Sequence, residues 1–216
     1  MICFETSGGW VASLMSERIV MTGVRSRRFR IGASSASAGV AINSAARSEH
    51  GFGGIGLKDL MKAAGLTQGA FYKQFASKED LAAQASRRAM ESAAHRWAEA
   101  TASKPEDPLG AVIEFYLSAD HREERMDGCP VVSLGSDAAR QGSDVKASFE
   151  TGIKTYLEAL GGMIARADGE ESNEKAMAIL STMVGAVVLS RIINDPHLAQ
   201  AFLNAAADQV RQAVAA

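Results

Sequence analysis

Proline is scarce in this chain, 4 in 216 residues, and so are alternating β-branched runs. Together these shortages exclude a sheet-rich fold and leave an all-α one. Cysteine is scarcer still. Cys3 and Cys129 stand far apart without metal-type spacing, as expected in a reducing cytoplasm. The four histidines, His50, His95, His121 and His197, have no ligand spacing either, so neither a metal nor a cofactor is expected. Met1 is not followed by the basic head and unbroken apolar core of a signal peptide. No apolar stretch reads as long enough to cross a bilayer. The nearest, Ala176 to Ile193, is interrupted by Ser181, Thr182, Gly185, Ser190 and Arg191. No glycine-rich loop follows a strand, and no nucleophile elbow frames a serine, so the chain is not expected to be an enzyme. What is present is 47% apolar content, enough to bury a sizeable core in one or two domains.

Charge is unevenly spread. The net charge of −2 hides 10 basic against 6 acidic residues over 1–80, and 13 against 19 over 81–216. A basic N-terminal part on an acidic remainder suits a nucleic-acid module joined to a body with another task. The most informative stretch lies within that basic part. Leu57, Leu60, Met61 and Ala64 recur at i, i+3, i+4, i+7, one buried helix face. Gly65 stands where a left-handed turn residue is needed, and Thr67 is placed to cap a second helix. Phe71 and Phe75 give that helix an apolar stripe, leaving Gln68, Gly69, Tyr72 and Lys73 on the opposite face. A short, polar, basic face on the second of two helices is the layout of a helix-turn-helix that enters the major groove.

At these residues the chain resembles the TetR family of bacterial transcriptional regulators. The motifs that carry the resemblance are Ala64-Gly65-Leu66-Thr67, Gly69-Ala70-Phe71-Tyr72, Phe75 and Ser77-Lys78-Glu79-Asp80-Leu81. His50-Gly51-Phe52 also fits the end of the family's first helix. The resemblance implies an all-α protein of about nine helices. It would have a DNA-binding domain of three helices, a fourth linking helix, an effector-sensing core and a dimer formed by the last two helices. The divisions expected are an ill-defined extension over 1–37, the helix-turn-helix domain over 38–80, and the sensing and dimerisation domain over 81–216. The chain departs from the pattern at Arg47, where the family often has Phe. Either a poor helix at about 38–50 serves as the first one, or Glu17 to Arg30 supplies part of it, or the first forty residues are a misassigned start.

From Ser77 on the periodicity is helical. Helices are expected to about Ser103, from Pro108 to Ala119, from Gly128-Cys129-Pro130 to Arg140, over 144–166 and 173–193, and from Asp195-Pro196 to about Val214. His121 to Arg125 reads as a charged loop. The segment 173–193 is apolar almost all round, so it must be covered on both sides. It is expected at a dimer seam with the last helix, through Ser181, Val184, Gly185, Val188 and Phe202. A core helix within one monomer is the plainer alternative.

The DNA-binding residues expected are Thr67 and Gln68, which can reach base edges, Gly69, which lets the helix sit deep, and Ala70 beside it; Tyr72 and Lys73 grip phosphate as the resemblance implies, and Lys78 at the next helix start is placed to hold another. The partners are then a pseudo-palindromic double-stranded DNA operator, a second copy of the chain and a small-molecule effector, with no membrane. Trp97, Phe115, Tyr116, Met126, Phe149, Ile153 and Tyr156 fall where the family keeps its effector pocket, although each also reads as ordinary core. Cys129, between Gly128 and Pro130 at a helix start, reads either as a sensing thiol or as a small buried residue. The function expected is a cytoplasmic homodimeric repressor released by its effector. The alternatives are an all-helical dimeric ligand-binding protein with a defective DNA-binding domain, and a redox or electrophile sensor built on Cys129.

Overall fold

Local signals in the sequence set the helix boundaries. Ser77 accepts a hydrogen bond from the Asp80 amide at 3.1 Å, and the Asp80 carboxylate reaches back to the Ala76 amide at 2.9 Å. This reciprocal cap starts a helix of 26 residues. Asp107 caps the next helix through the Gly110 amide at 2.9 Å, with Pro108 in its first turn. Ser118 and Ser172 cap two more, and the Asp195 carboxylate accepts from the His197 amide at the start of the last.

The computed structural model describes residues 56–63, 67–125, 127–168 and 172–215. All of them fall within one compact unit, Gly39–Ala216. Every helix is α-helical: α1 Leu57–Ala63, α2 Gln68–Tyr72, α3 Lys78–Ser103, α4 Pro108–Tyr116, α5 Ala119–Glu123, α6 Pro130–Ala138, α7 Ser143–Asp168, α8 Asn173–Ile192 and α9 Pro196–Ala215. No strand occurs among the described residues. The expected extension over 1–37, the expected helix at 38–50, Gly65 and Met126 lie outside them.

The two 26-residue helices α3 and α7 run against one another, and α8 pairs with α9. Gly152 makes the first pairing close. A Cβ there would meet the Met90 side chain at 2.4 to 2.8 Å. Ser148 adds a polar tie beside it, donating to the carbonyls of Ala83 and Asp144 at 3.0 Å each. A single apolar core then runs from Ala82 on α3 to Val214 on α9, with Val112, Tyr116, Leu160, Ile164, Met183 and Leu203 fully enclosed.

Two expectations change. The charged stretch after Ser118 is not a loop throughout. Its first part is α5, because the Ser118 hydroxyl accepts from the His121 amide at 3.0 Å and Asp120 sits in the first turn. Secondly, α8 is long and apolar enough to cross a membrane by length and composition. Its hydroxyls do not interrupt it as expected, since Ser181, Thr182 and Ser190 each donate to a carbonyl of their own helix. One side of α8, Ala176, Ile179, Met183, Ala186 and Val187, lies in the core.

Candidate functional site

Between α1 and α2 the apolar side chains turn inward. Met61, Phe71 and Phe75 are buried, and the Phe71 and Phe75 rings pack 5.4 Å apart. Helix α2 ends at Tyr72, one turn short of the expected stripe. The Phe75 amide nevertheless donates to the Phe71 carbonyl at 2.9 Å, which keeps both rings in step. The Phe71 amide donates to the Thr67 carbonyl at 3.2 Å, so Thr67 stands at the helix entrance.

The opposite face is open. Thr67, Gly69, Tyr72 and Lys73 are exposed, Tyr72 at 67% even though its ring touches Phe71 edge-on at 5.0 Å. A Cβ added at Gly69 would meet nothing closer than the Thr67 hydroxyl at 3.9 Å, so the glycine leaves a clear path for another surface. Gln68 and Ala70 lie on the same short helix, α2. Lys78 is the first residue of α3, half-buried beside the Ser77 cap. Asp80, held below the usual carboxylate range by hydrogen bonds from Gln84 and the Ala76 amide, stays ionised there.

Comparison with known proteins fits this geometry. Residues 45–85 match the model of the bacterial regulatory proteins of the tetR family. The fold is that of solved transcriptional regulators. NemR of E. coli in its reduced form is 20% identical, with a TM-score of 0.71 over 82% of this chain and 95% of that one. A TetR transcriptional regulator from Chloroflexus aurantiacus is 24% identical, with a TM-score of 0.70 over 82% and 94%. One from Cytophaga hutchinsonii is 18% identical, with a TM-score of 0.70 over 86% and 97%. No curated protein matches. The sequence match is confined to residues 45–85, and the solved structures share the fold over most of the chain.

In the body of the chain, four of the residues expected at a pocket come together. Trp97 on α3 stacks on Tyr156 of α7 at 4.6 Å, and Tyr116 of α4 meets Trp97 edge-on at 5.7 Å. The Cys129 thiol lies beside both tyrosine hydroxyls, which are pushed up chiefly by burial and further by the sulfur. Neither hydroxyl finds a hydrogen-bond partner of ordinary geometry. A cleft of about 290 Å³ opens against Trp97 and Tyr156, walled by Ala94, Ala98, Ala159 and Met163 with Thr101 and Thr155 at its edge. Phe149 and Ile153 join the same core but do not line that cleft. Phe115 is half-buried, its ring 5.6 Å from His121.

Two residues that sequence reasoning missed organise this region. His121 is buried, its Nδ1 2.6 Å from the Tyr116 carbonyl, while its Nε2 accepts the Cys129 amide at 3.1 Å. That pairing puts the proton on Nδ1, and burial lowers the imidazole pKa to about 4. Arg191, at the end of α8, donates to the carbonyls of His121, Arg122 and Glu124 at 2.8 to 2.9 Å and to the Ser133 hydroxyl at 3.3 Å. Arg122 returns the contact, donating to the Ser190 carbonyl at 2.9 Å. The open carbonyl ends of α5 and α8 thus satisfy one another's arginines. Arg96 of α3 joins them through the Gly128 carbonyl at 3.2 Å. Gly128 has no room for a side chain, because a Cβ would stand 2.3 Å from the Glu124 carbonyl oxygen. The only sequence signal for this arrangement was an arginine at the end of an apolar helix.

The outer side of α8 and the facing part of α9 are apolar and exposed, through Met177, Val188, Leu189, Ile192, Leu198 and Phe202. Ser181 is exposed beside them, while Val184 and Gly185 are half-buried. A Cβ at Gly185 would meet nothing within 4 Å, so this face admits close approach.

Proposed function

We propose that the chain is a homodimeric, one-component transcriptional repressor of the cytoplasm. Residues 38–80 would read DNA, and residues 81–216 would sense an effector and dimerise. The observation that carries this reading is the two-sided α2. Phe71 is enclosed, while Tyr72 and Lys73 project from the other side next to an unobstructed Gly69. Thr67 and Gln68 would reach base edges, Gln68 with the means to bond adenine bidentately, while Gly69, next to Ala70, would let the helix sit deep. Tyr72, Lys73 and Lys78 would hold phosphates.

Dimerisation would cover the exposed apolar side of α8 and α9, with Ser181, Val184, Gly185, Val188 and Phe202 at the seam. Two recognition helices would then lie about 34–36 Å apart, one helical turn, which calls for a pseudo-palindromic operator. An effector in the body would favour a second dimer state whose α2 helices no longer match consecutive grooves. It must bind that state better by a few kcal/mol, because equal affinity for both shifts nothing.

The test is fluorescence anisotropy of the whole chain on promoter-proximal DNA at two salt concentrations. Tight binding at a pseudo-palindrome that weakens steeply with salt is expected. Lys73→Ala should weaken all sequences alike and lower the salt slope by about one, whereas Gln68→Ala should change preference between sequences. Affinity no higher than for random DNA would sink the reading.

A further inference from the structure

We propose that a cleft between α4 and α9 binds small zwitterions with an apolar side chain, the chemistry of a free aliphatic α-amino acid. This site does not depend on the function proposed above.

Helix α9 has two unlike flanks. Asn204, Ala207, Asp208 and Arg211 recur at i, i+3, i+4, i+7 and form one row along it. Leu198 and Phe202 stand on the other flank, beyond the buried row of Ala199, Leu203, Ala206 and Val210. The first row faces Ile113, Glu114 and Leu117 at the end of α4, and between them lies a cleft of about 340 Å³. It shares no residue with the cleft against Trp97. Lying on the flank away from Leu198 and Phe202, it would stay open in a dimer that covers the apolar face.

The floor of this cleft is apolar, with Ile113 and Leu117 buried and Ala207 half-buried. Each wall carries an ion pair. On α4, Glu114 pairs with Lys104 from the end of α3. On α9, Asp208 stands 3.6 Å from Arg211, too far for a hydrogen bond, and no closer polar partner holds either of them among the described residues. Exposed pairs of this kind contribute little to stability, so exchanging them for a ligand's charges costs little. Asn204 accepts from the Gln200 amide at 2.9 Å through its carbonyl oxygen, which leaves its own amide nitrogen to donate elsewhere.

A rim with both signs of charge selects against simple ions. A lone cation drawn to Glu114 and Asp208 would meet Arg211, and a lone anion drawn to Arg211 would meet the two carboxylates. A molecule with ammonium and carboxylate on one carbon answers both. Its ammonium would lie between Glu114 and Asp208, and its carboxylate would take Arg211 and the Asn204 amide. Its side chain would cover Ile113, Leu117 and Ala207. At about 340 Å³ the cleft is at the small end for ligand sites, which suits one amino acid rather than a peptide.

The experiment titrates the full chain with L-leucine and follows backbone amide shifts by NMR. Two analogues each lack one charge: 3-methylbutylamine has no carboxylate, and 4-methylpentanoate has no ammonium. Leucine is expected to saturate with a Kd of about 1 mM, and either analogue to bind about tenfold more weakly. Arg211→Gln should weaken leucine about tenfold and spare the amine, whereas Asp208→Asn should weaken leucine as much and spare the carboxylate. Both side chains are exposed, so both variants should fold. Structural damage would weaken all three ligands alike, and that uniform loss would remove the assigned charge contacts. No saturation by about 10 mM leucine, an analogue that binds as tightly as leucine, or leucine binding indifferent to both substitutions would each overturn the site.

Discussion

Around α1 and α2, packing among the described residues rests on Met61, Phe71, Phe75 and the adjoining Leu81, none of them part of the body's core cluster. From α3 to α9, by contrast, a single core is shared by six helices and supplemented by the arginine ties between α5 and α8. Among the described residues this head, α1 and α2, is packed by few, large side chains, and the body, α3 to α9, by many. A lost side chain in the body is shared among neighbours, whereas one lost from α1 or α2 has few others among the described residues to lean on. A substitution within α1 or α2 is therefore expected to act locally, and one in the body to be spread over the core.

The largest effect should come from Phe71→Ala. Truncating a buried Phe costs about 3–5 kcal/mol. In the head this should abolish operator binding while circular dichroism retains most of the helix, since α3 to α9 do not depend on that ring. Loss of all helix in one cooperative step would show that head and body are not separable.

Acid should act on the body instead, through His121. Burial holds its imidazole at about 4, against about 6.5 when unfolded, so the unfolded chain binds the extra proton between those values. Stability from this group is complete above pH 6.5 and drains away as pH falls toward 4, by about 3 kcal/mol at most. Urea unfolding at pH 7 and pH 4.5 measures it. His121→Gln should flatten that difference, and an unchanged pH dependence would remove His121 as its source.

A third contrast lies at the α3–α7 contact. Gly152→Ala would drive a methyl group into Met90 and should cost about 1–3 kcal/mol, read as a lower Tm. Adding Met90→Ala should recover part of that loss, because the two changes share one space. A fall in Tm that Met90→Ala does not relieve would place the strain elsewhere.

How much of this was legible in the sequence follows the range of the interactions. The head could be read because its signals are local: Phe71 and Phe75 sit four apart, and Ser77 and Asp80 three apart, within one cap. The long helices α7 and α8 could be read from periodicity and apolar content. Helix α5 was hidden because its charged residues look like a loop until Ser118 is recognised as a cap. The meeting of Trp97, Tyr116, Cys129 and Tyr156 needs three helices and a helix start brought together. Arg191 finds its carbonyls 67 to 70 residues away. No spacing rule reaches that far, so the candidate residues could be named singly but their assembly, and the histidine and arginine behind it, could not.

The smallest effect tests the joint between the two regions. Ser77 caps α3 at the point where the head ends, and its loss would leave the Asp80 amide without the hydroxyl that serves it. Ser77→Ala should cost about 1 kcal/mol, and Ser77→Asp, which can still accept, much less. In a chain of this length that corresponds to a fall in Tm of about 2–4 °C. The Asp80 carboxylate would still hold the Ala76 amide, so the first turn should fray rather than unwind. Lys78 stands in that turn, and a frayed turn would hold it less firmly against a phosphate. Operator affinity should therefore fall a few-fold in Ser77→Ala and recover in Ser77→Asp, with the body's acid sensitivity unchanged in both. A change in that acid sensitivity would mean that the cap transmits into the core, and that the division between head and body is not located at Ser77.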